Sequence, residues 1–557
     1  MGRSSQKVNE LDKMKGLKHY LFNAQKREEV KTLLASKEFD VLIIGGGITG
    51  AGILLDAASR GLSAALIEKE DYASGTSSRS TKLIHGGLRY LKNFEFKLVR
   101  EVGKERAVVY NIAPHIVVPE KMLLPLVEGG SFGKTGTGFG LWLYDKLAGV
   151  TGEDRRKILS KEKTLKIEPT LRHDNLKGAG YYAEYRTDDA RLTLEIIKTA
   201  VQLKGTAINY AAATELVYEN KKIRGVKCTD TITKTPFSIK AKKIINATGP
   251  WVDELREKDK SLSEKKLFLT KGVHIVVNRD KLPINNSIYF DVEGGRMIFA
   301  IPRQEITYIG TTDTKFSENK NSPKATREDV QYLIDAANKM FPAAELKIID
   351  ILSSWSGIRP LIHEDGKNIS ELSRKDELLI SNSGLITIAG GKLTGYRLMA
   401  KKVVDLIGKQ LNINHKCTTQ DIKISGGEFD TPDLVDSFIL SIKSRLKSLK
   451  LAEKKAEYLV RTYGKQTNSI LEIFENETFN VLVEAEVWFS LRYDSTITLI
   501  DFFLRRTGKI NFEPLMVLEE AKITLPQFVD YLNWDKLAEK SALKDLENYL
   551  TSVTTFG

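Results

Sequence analysis

Cysteine is scarce in this chain, and other signals of a specialised protein class are missing as well. Its 557 residues include only Cys228 and Cys417, too few for a disulfide framework or a cysteine-rich zinc site. No run of about eighteen apolar residues occurs that could cross a membrane, and the charged N-terminus lacks the apolar core of a signal peptide. We therefore expect a globular protein of the cytoplasm, without a metal site.

Acidic charge is also in deficit. The chain carries 85 Lys and Arg residues against 72 Asp and Glu residues, a formal net charge of +13. Such an excess suits nucleic acid, an anionic membrane surface or an anionic substrate, or it simply keeps the protein soluble. The sequence contains neither a zinc finger nor a basic motif with interleaved aromatic residues, which argues against nucleic acid.

The length and the order of patterns predict two or three domains. Residues 1–37 are predicted to be an extension with one or two amphipathic helices. It either lies on a membrane surface, packs on the body of the protein or is partly disordered. Residues 38–412 alternate strand and helix patterns, and helical periodicity dominates residues 413–557. Cofactor-type segments lie near residues 38–110, 175–250 and 355–412. Apolar runs predict further strands at residues 242–250, 274–277, 297–302, 306–313 and 385–391. The predicted fold is α/β, with a cofactor domain and a substrate domain interleaved, plus a C-terminal helical domain.

The clearest local motif is a glycine-rich turn between a buried strand and a helix. FDVLIIGGG leads into AGILLDAASRG, and a second strand, SAALIEKE, ends at Glu68, so the three form a βαβ unit. Gly45 allows a tight turn, Gly47 lets the backbone approach a pyrophosphate, and Gly50 lets the helix pack closely on the strand. Glu68 is placed to accept hydrogen bonds from an adenosine ribose. This Rossmann-like unit predicts a bound dinucleotide but does not distinguish NAD from FAD.

Three later segments favour FAD. TSSRSTKLIHGGLRYL offers hydroxyls, backbone N–H groups and glycines to a pyrophosphate or flavin ring, while ATGPWVD and AGGKLTGYR each follow an apolar strand. Each segment alone is also typical of an ordinary turn or capped loop. A nicotinamide domain needs only the first motif, however, so the combination indicates FAD. The cofactor residues predicted in these segments are Thr76, Ser77, Ser78, Lys82, His85, Gly86, Ala247, Gly249, Gly391, Lys392, Leu393 and Thr394.

Basic residues in turn contexts beside these motifs predict an anionic substrate. The set is Arg89, Arg359, Arg374 and Lys392. Arginine binds phosphate with two parallel hydrogen bonds and lysine acts as a point charge, so the set suits a phosphorylated compound if the fold brings its members together. His274, at the start of a strand, is a candidate catalytic residue, although a single histidine is more often structural.

The chain resembles the FAD-dependent glycerol-3-phosphate dehydrogenases of aerobic bacteria in a series of segments that occur in the same order. They are GGGITGAG, GTSSRSTKLIHGGLRYLK, YRTDDARL, NATGPWVD, LTKGVHIVV, IGTTDT, SGIRPL and AGGKLTGYR. The resemblance leaves residues 1–37 unexplained. It implies an FAD-binding domain in the style of glutathione reductase, a mixed-sheet substrate domain and a C-terminal helical domain.

The resemblance also implies a reaction and residue roles. sn-Glycerol 3-phosphate would be oxidised to dihydroxyacetone phosphate by hydride transfer to FAD, and the electrons would pass to a membrane quinone. The residues expected to bind the substrate phosphate are Arg89, Tyr90, Arg374 and Lys392. Arg359 is expected near the C2 hydroxyl, and His274 falls on the active-site histidine. Either His274 or a water molecule organised by Arg359 would remove the hydroxyl proton.

Other functions remain open at this stage. An oxidase of the same substrate would pass electrons to oxygen and make hydrogen peroxide. A flavoprotein amine oxidase fits the flavin motifs but leaves the basic set unexplained, and a non-enzymatic flavin-binding or membrane-interaction protein would rest on the basic extension. Quinone use implies peripheral attachment to the cytoplasmic membrane, and the sequence is compatible with a homodimer.

Overall fold

Two β-sheets organise the chain in a computed structural model. It describes residues 21–84, 96–130, 155–263, 265–293, 295–362 and 376–556. The strands of these residues are β1 (Glu38–Ile44), β2 (Ala64–Ile67), β3 (Leu83–Ile84), β4 (Val118–Val127), β5 (Lys157–Ser160), β6 (Leu176–Arg186), β7 (Thr206–Ile208), β8 (Ala211–Glu219), β9 (Lys222–Asp230), β10 (Pro236–Asn246), β11 (Leu267–Asn278), β12 (Ser287–Val292), β13 (Arg296–Arg303), β14 (Ile306–Gly310), β15 (Thr314–Lys315), β16 (Ile351–Ile362), β17 (Asp376–Ile380) and β18 (Ile386–Gly390).

Helices precede, connect and follow these strands. They are α1 (Arg27–Ser36), α2 (Ile48–Ser59), α3 (Phe96–Ile112), α4 (Lys161–Ile167), α5 (Asp189–Gln202), α6 (Val252–Lys258), α7 (Arg327–Met340), α8 (Tyr396–Leu411), α9 (Leu434–Ser448), α10 (Lys455–Tyr463), α11 (Thr467–Asn476), α12 (Leu482–Tyr493), α13 (Lys509–Phe512), α14 (Val517–Leu532) and α15 (Lys536–Thr554). A π-helix, Asp501–Arg506, lies between α12 and α13.

The first sheet has the strand order β17–β18–β10–β1–β2–β7, with β9 joined to β10 and β8 to β9. β18, β10, β1, β2 and β7 run parallel, whereas β17 and β9 are antiparallel to their neighbours. Parallel strands are usually covered on both faces, which explains the continuous apolar runs. Because the chain forms β1 and β2 early and returns much later for β10 and β18, the predicted interleaving is confirmed.

Helices α2, α5 and α8 pack together beside this sheet. The close approach of α2 and α8 depends on Gly52, where a Cβ atom would lie 2.8 Å from Cδ2 of Tyr396. The turns that follow β1, β10 and β18 all lie at the carboxyl-end edge of the first sheet. In open α/β sheets this edge is where ligands bind.

The second sheet has the order β15–β11–β14–β13–β12–β4–β6–β3, with β16 joined to β11 and β5 to β6. Its strands are antiparallel except for the β12–β4 pair. Along β11, Val273 and Ile275 belong to an apolar core shared with Val330 and Leu333 of α7. Successive side chains alternate between faces, so His274 points away from this core, toward the first sheet's side of the molecule.

Each of the five strands predicted from apolar runs overlaps an observed strand, namely β10, β11, β13, β14 and β18. β16 differs from its prediction. SGIRPL was predicted as a turn, because glycine and proline usually interrupt strands. In the structure the segment lies inside β16, which pairs with β11 alone among the described strands. A strand edge without a partner has no ladder hydrogen bond to lose at Pro360, so proline is tolerated there.

The two ends of the chain are helical. The predicted C-terminal helical domain is confirmed by α9 to α15. In the N-terminal extension α1 packs on the body, since Val30 and Leu34 are buried among residues of the first sheet; residues 1–20 lie outside the described residues. Within the described part of the chain, no helix combines the length and apolarity that a membrane crossing requires. The exact domain bounds stay predictions. The segment near residues 175–250, predicted to belong to the cofactor domain, includes β6, which lies in the second sheet.

Candidate cofactor and substrate site

The glycine-rich turn follows β1 and continues into α2, whose N-cap is Gly47. Gly45 has φ +116°, and a Cβ atom there would lie 2.5 Å from the carbonyl oxygen of Ala247. A Cβ atom at Gly50 would lie 1.9 Å from the carbonyl oxygen of Gly45. Side chains are therefore excluded at both positions, and the N-terminus of α2, whose dipole favours negative charge, can lie close to a phosphate.

Glu68 closes the far side of this turn. Its carboxylate accepts a hydrogen bond from the Gly46 N–H at 2.7 Å and one from the Glu70 N–H at 3.0 Å. Burial raises the pKa of the Glu68 carboxyl, and these two N–H groups oppose the increase. The side chain is held in place by the turn and faces the cleft, where it can still accept from a ribose hydroxyl.

A cleft of about 290 Å³ opens over this turn. The predicted cofactor residues that line it are Gly45, Gly47, Glu68, Thr76, Ser77, Ala247, Gly249, Gly391, Lys392 and Leu393. Several of its walls are glycine backbone, and a Cβ atom at Gly47 would already reach 3.0 Å from Oγ of Ser77. A backbone-lined cradle with a carboxylate at one end fits the pyrophosphate and ribose of a dinucleotide.

Other predicted cofactor residues support the cleft without lining it. Gly50 lies behind the turn. Lys82 is buried, and its Nζ lies 2.6 Å from Oδ1 of Asp189 and 3.1 Å from the carbonyl oxygen of Ser78. The structure therefore places the Lys82 charge in an ion pair with the DDARL segment. Thr394 lines the second cavity, described next.

A second cavity of about 260 Å³ adjoins the cleft. The residues common to both are Thr76, Ser80, Pro360, Gly391, Lys392 and Leu393. His274 and Arg359, the two predicted catalytic residues, line the second cavity together with Lys392. We call this second cavity the substrate cavity. Residues far apart in sequence thus meet where it adjoins the cleft.

The register of β11 and β16 explains how these side chains meet. His274 lies opposite Trp355, Gly272 opposite Gly357, and Thr270 opposite Arg359. Positions two residues apart share a face, so the histidine and the arginine project into the same space. A Cβ atom at Gly272 would lie 2.3 Å from Nη2 of Arg359, so this glycine makes room for the guanidinium.

Hydrogen bonds from one short segment fix the guanidinium of Arg359. Nη1 donates to the carbonyl oxygen of Thr312 at 3.1 Å and to Oδ1 of Asp313 at 3.0 Å, and Nη2 donates to Oγ1 of Thr311 at 2.9 Å. All three acceptors belong to IGTTDT, directly after β14. A cation held in this way offers a fixed positive charge to an oxygen atom in the cavity.

His274 is 1% exposed and lies between a hydroxyl and an aromatic ring. Its Nε2 is 3.0 Å from Oγ1 of Thr81, and its ring stacks on Trp355 with centroids 4.7 Å apart. Burial, together with the positive charges of Arg359 and Lys82, lowers the pKa of His274 well below 6.5. The imidazole is therefore neutral at neutral pH, and only a neutral imidazole can accept a proton.

Lys392 marks the junction between the two spaces. It follows Gly390 and Gly391, whose φ angles are +75° and +80°, and it precedes a single 3₁₀ turn that leads into α8. This left-handed glycine pair turns the chain sharply out of β18. The lysine consequently lines both the cleft and the substrate cavity.

Part of the predicted site lies outside the described residues. These positions are His85, Gly86, Arg89, Tyr90 and Arg374. Conversely, the sequence prediction did not include Thr81, Trp355, Thr311 or Asp313, all of which contact a candidate catalytic side chain. The spacing of four between Trp355 and Arg359 was a usable signal, because a strand places both on one face.

Comparisons with known proteins agree with this arrangement. A family model described as FAD dependent oxidoreductase matches residues 40–397. A second model, described as the C-terminal domain of alpha-glycerophosphate oxidase, matches residues 417–539. Together the two models span both sheets and most of the C-terminal helices.

Individual relatives are similar over nearly their whole length. The aerobic glycerol-3-phosphate dehydrogenase of Bacillus subtilis (strain 168) is 47% identical over 546 residues, which are 96% of this chain and 98% of that protein. The crystal structure of the glycerol-3-phosphate dehydrogenase from Bacillus halodurans complexed with FAD superposes with a TM-score of 0.83 at 40% identity, covering 96% of this chain and 99% of that one.

A more distant similarity concerns the fold alone. The L-alpha-glycerophosphate oxidase from Mycoplasma pneumoniae, with FAD bound, has a TM-score of 0.55 at 20% identity and covers 69% of this chain and 97% of its own. At this level of identity the similarity extends to the fold and not to the electron acceptor.

Proposed function

We propose that this chain, which belongs to the family of FAD-dependent aerobic glycerol-3-phosphate dehydrogenases, oxidises sn-glycerol 3-phosphate to dihydroxyacetone phosphate. The observation that carries the proposal is the junction of the two cavities. A backbone-lined dinucleotide cleft meets a cavity that holds a neutral imidazole, a fixed guanidinium and an ammonium group. These groups suit the oxidation of a phosphorylated secondary alcohol.

The cleft residues would hold FAD mainly through their backbone. The N-terminus of α2 would favour the pyrophosphate, and Glu68 would accept a hydrogen bond from the ribose. When bound, FAD supplies the hydride acceptor for C2 of the substrate.

The protein's own groups handle the proton and the charge. Because His274 is neutral and lines the cavity, it can take the proton of the C2 hydroxyl. Arg359, held by the IGTTDT segment, stabilises the negative charge that develops on the oxygen. The alternative is a water molecule that Arg359 orients and that removes the proton in place of the histidine.

Recognition of the phosphate is assigned to Lys392 together with Arg89, Tyr90 and Arg374. Lys392 borders the substrate cavity, where its ammonium group provides a point charge. The other three positions are proposed by resemblance to the family.

The decisive experiment is anaerobic titration of the purified holoenzyme with sn-glycerol 3-phosphate. Bleaching of the visible flavin absorbance, with formation of dihydroxyacetone phosphate, is the expected result. Glycerol at the same concentration serves as the control for phosphate recognition, and glycine and proline as controls for an amine oxidase. Absence of bleaching by glycerol 3-phosphate would contradict the proposal, and bleaching by an amino acid would favour the amine oxidase.

The electron acceptor proposed is a membrane quinone, reached through peripheral contact with the cytoplasmic membrane. The support is the similarity to relatives named as dehydrogenases and the formal net charge of +13, which favours an anionic membrane surface. Turnover should be fast with a soluble quinone analogue and should yield little hydrogen peroxide in air. Stoichiometric peroxide without a gain from quinone would identify an oxidase instead.

The assembly proposed is a homodimer that binds to vesicles of anionic lipid. Sedimentation equilibrium gives its mass, and co-sedimentation with vesicles, repeated at high salt, tests the electrostatic contact. A monomer that stays in solution with anionic vesicles would refute both.

A further inference from the structure

The segment Glu68–Ser78, here called the cofactor loop, forms one wall of the cleft. Its residues that line the cleft are Glu68, Lys69, Ser74, Gly75, Thr76 and Ser77. The loop is joined to the glycine-rich turn at two further points: the Ala73 N–H donates to the carbonyl oxygen of Gly46 at 3.0 Å, and the Ile48 N–H donates to Oγ of Ser77 at 2.9 Å. A displacement of the loop therefore also displaces the start of α2.

Asp71 lies in the middle of this loop, faces away from the cleft and is fully buried. Two arginines of the π-helix surround its carboxylate. Nε of Arg505 lies 2.5 Å from Oδ2, and Nη1 and Nη2 of Arg506 lie 2.6 and 2.8 Å from Oδ2 and Oδ1. Arg506 thus binds Asp71 through both oxygens, which is the strongest geometry available to this pair.

The charges of this cluster balance within a buried volume. Nη2 of Arg505 also contacts Oδ1 of Asp501 at 2.6 Å, so two carboxylates face two guanidinium groups. Burial alone would raise the pKa of Asp71, but Arg506 and Arg505 hold it well below its ordinary value. Removing one partner would leave a buried charge without compensation, which is strongly unfavourable.

The π-helix belongs to the stretch matched by the C-terminal domain model, residues 417–539. Neither arginine is among the described residues that line the cleft or the substrate cavity. The contact therefore links the C-terminal helical domain to the cofactor loop from behind, without contributing a group to the cofactor itself.

A second contact supports the same loop from the N-terminal side. The ring of Phe22 stacks on Tyr72, with centroids 5.3 Å apart, and a Cβ atom at Gly46 would lie 3.0 Å from Cδ1 of Tyr72. Next to Phe22, Oδ1 of Asn23 accepts from the hydroxyl of Tyr531 in α14 at 3.0 Å. The loop is thus enclosed by segments from both ends of the chain.

We propose that Asp71 is a positioning residue through which Arg505 and Arg506 of the C-terminal domain hold the cofactor loop in its FAD-binding form. Retention of FAD then depends on a domain that does not touch it. The apparent dissociation constant of a ligand rises in inverse proportion to the populated fraction of the binding-competent form. A loop that is correctly placed about one tenth of the time would raise it about tenfold. In the holoenzyme FAD leaves while the loop is displaced, so a variant whose loop is displaced about ten times as often should release FAD about tenfold faster.

The experiment compares FAD release from the holoenzymes of three variants. Asp71→Asn removes the carboxylate of the ion pair on the loop side, and Arg506→Gln removes one guanidinium on the side of the C-terminal domain. Lys509→Met is the matched control. Lys509 also forms a buried ion pair in the C-terminal domain, with Nζ 2.5 Å from Oε2 of Glu520, but contacts no part of the loop. FAD release is followed by the rise of flavin fluorescence after dilution, and unfolding is followed separately by far-UV circular dichroism.

The expected result is release of FAD about tenfold faster or more in Asp71→Asn and Arg506→Gln, at temperatures where the fold is intact. In the control the unfolding temperature falls, but the release rate stays within about twofold of the wild type. If Arg506→Gln does not fold, Arg506→Lys keeps the charge without the two-pronged contact and should still release FAD faster than the control.

Release at the wild-type rate from the folded Arg506 variant would overturn the proposal. So would release rates that follow the unfolding temperature alone in all variants, including the control. The measurement uses neither substrate nor electron acceptor, so its outcome is independent of the proposed reaction.

Discussion

The cofactor cleft is built around glycine-rich turns, whereas the substrate cavity brings charged and aromatic side chains together. The cleft is assembled from turns at the ends of parallel strands, with glycines at Gly45, Gly47 and Gly391. The substrate cavity uses one face of two antiparallel strands, where His274 and Arg359 project side by side. A dinucleotide is thus recognised by shape and by N–H groups, and the reaction depends on a few side chains. Changes in the two regions should therefore have separable effects.

The largest separable effect is expected at Arg359. Arg359→Met removes the charge proposed to stabilise the reacting oxygen and should lower kcat/KM by about a thousandfold, while the FAD content stays at the wild-type level. Steady-state kinetics and the flavin-to-protein absorbance ratio measure the two quantities. Arg359→Lys should recover little, because an ammonium cannot reproduce the forked contacts. A loss below about tenfold, or loss of FAD, would contradict the separation.

His274→Ala is expected to lower kcat by about a hundredfold. Its FAD content should be unchanged, since the side chain lines only the substrate cavity. The exposed His173 provides the control, and His173→Ala should leave kcat unaltered. Near-normal turnover of His274→Ala at saturating substrate would assign proton removal to the water oriented by Arg359.

Two glycine substitutions, one beside each cavity, test directly whether the cofactor cleft and the substrate cavity are independent. Gly45→Ala places a methyl group 2.5 Å from the Ala247 carbonyl oxygen at φ +116° and should weaken FAD binding by about tenfold or more. Gly310→Ala places one 2.1 Å from Cδ2 of His274 and should lower kcat about tenfold with FAD retained. If Gly310→Ala loses FAD to the same extent as Gly45→Ala, the two regions are not independent.

Replacing Lys392, which lies where the cleft and the substrate cavity adjoin, should change KM more than kcat. Lys392→Ala is expected to raise KM for glycerol 3-phosphate about tenfold, as loss of one charge-assisted hydrogen bond does, with a smaller change in kcat. Activity on glycerol should not change, so discrimination between the two alcohols narrows. Equal loss on both alcohols would show that the lysine does not recognise the phosphate.

The smallest effect concerns pH. The pKa of His274 is well below 6.5 in the folded protein, since burial and the charges of Arg359 and Lys82 lower it. As the pH falls, His274 is protonated in the unfolded chain at a higher pH than in the folded protein. The folded state is therefore favoured by the neutral imidazole above about pH 6.5, and this contribution to stability is lost as the pH falls further. Histidine-labelled NMR of the substrate-free protein, with His274→Gln to assign the signal, should show no titration between about pH 6 and 8. Protonation of His274 near pH 6.5 would contradict the lowered pKa.

The same contrast explains how much the sequence could predict. The cleft follows from local patterns, because strand, turn and helix around Gly45–Gly50 are contiguous and glycine is required by φ and close contacts. FAD and the interleaved fold could therefore be predicted correctly. Local patterns do not show the ion pair of Lys82, because its partner Asp189 lies more than a hundred positions away in the sequence.

The substrate cavity depends on pairing that local patterns do not contain. The register that places Thr270 opposite Arg359 joins segments about ninety residues apart, and SGIRPL carries glycine and proline that indicate a turn. Without that register, neither the support of Arg359 by Asp313 nor the stacking of His274 on Trp355 could be predicted. The residue identities came from the family resemblance, whereas their spatial relation required the structure.

The return of the chain to its first sheet also has a consequence for synthesis on the ribosome. β1 emerges early, but β18, which pairs with β10 on the far side of β1, ends at Gly390. At roughly 5–20 residues per second, translation from Ile44 to Gly390 lasts on the order of 20–70 s. β10 therefore has no partner on that side until β18 emerges, and the cofactor cleft, which includes Gly391 and Lys392, is complete only once roughly 70% of the polypeptide has emerged.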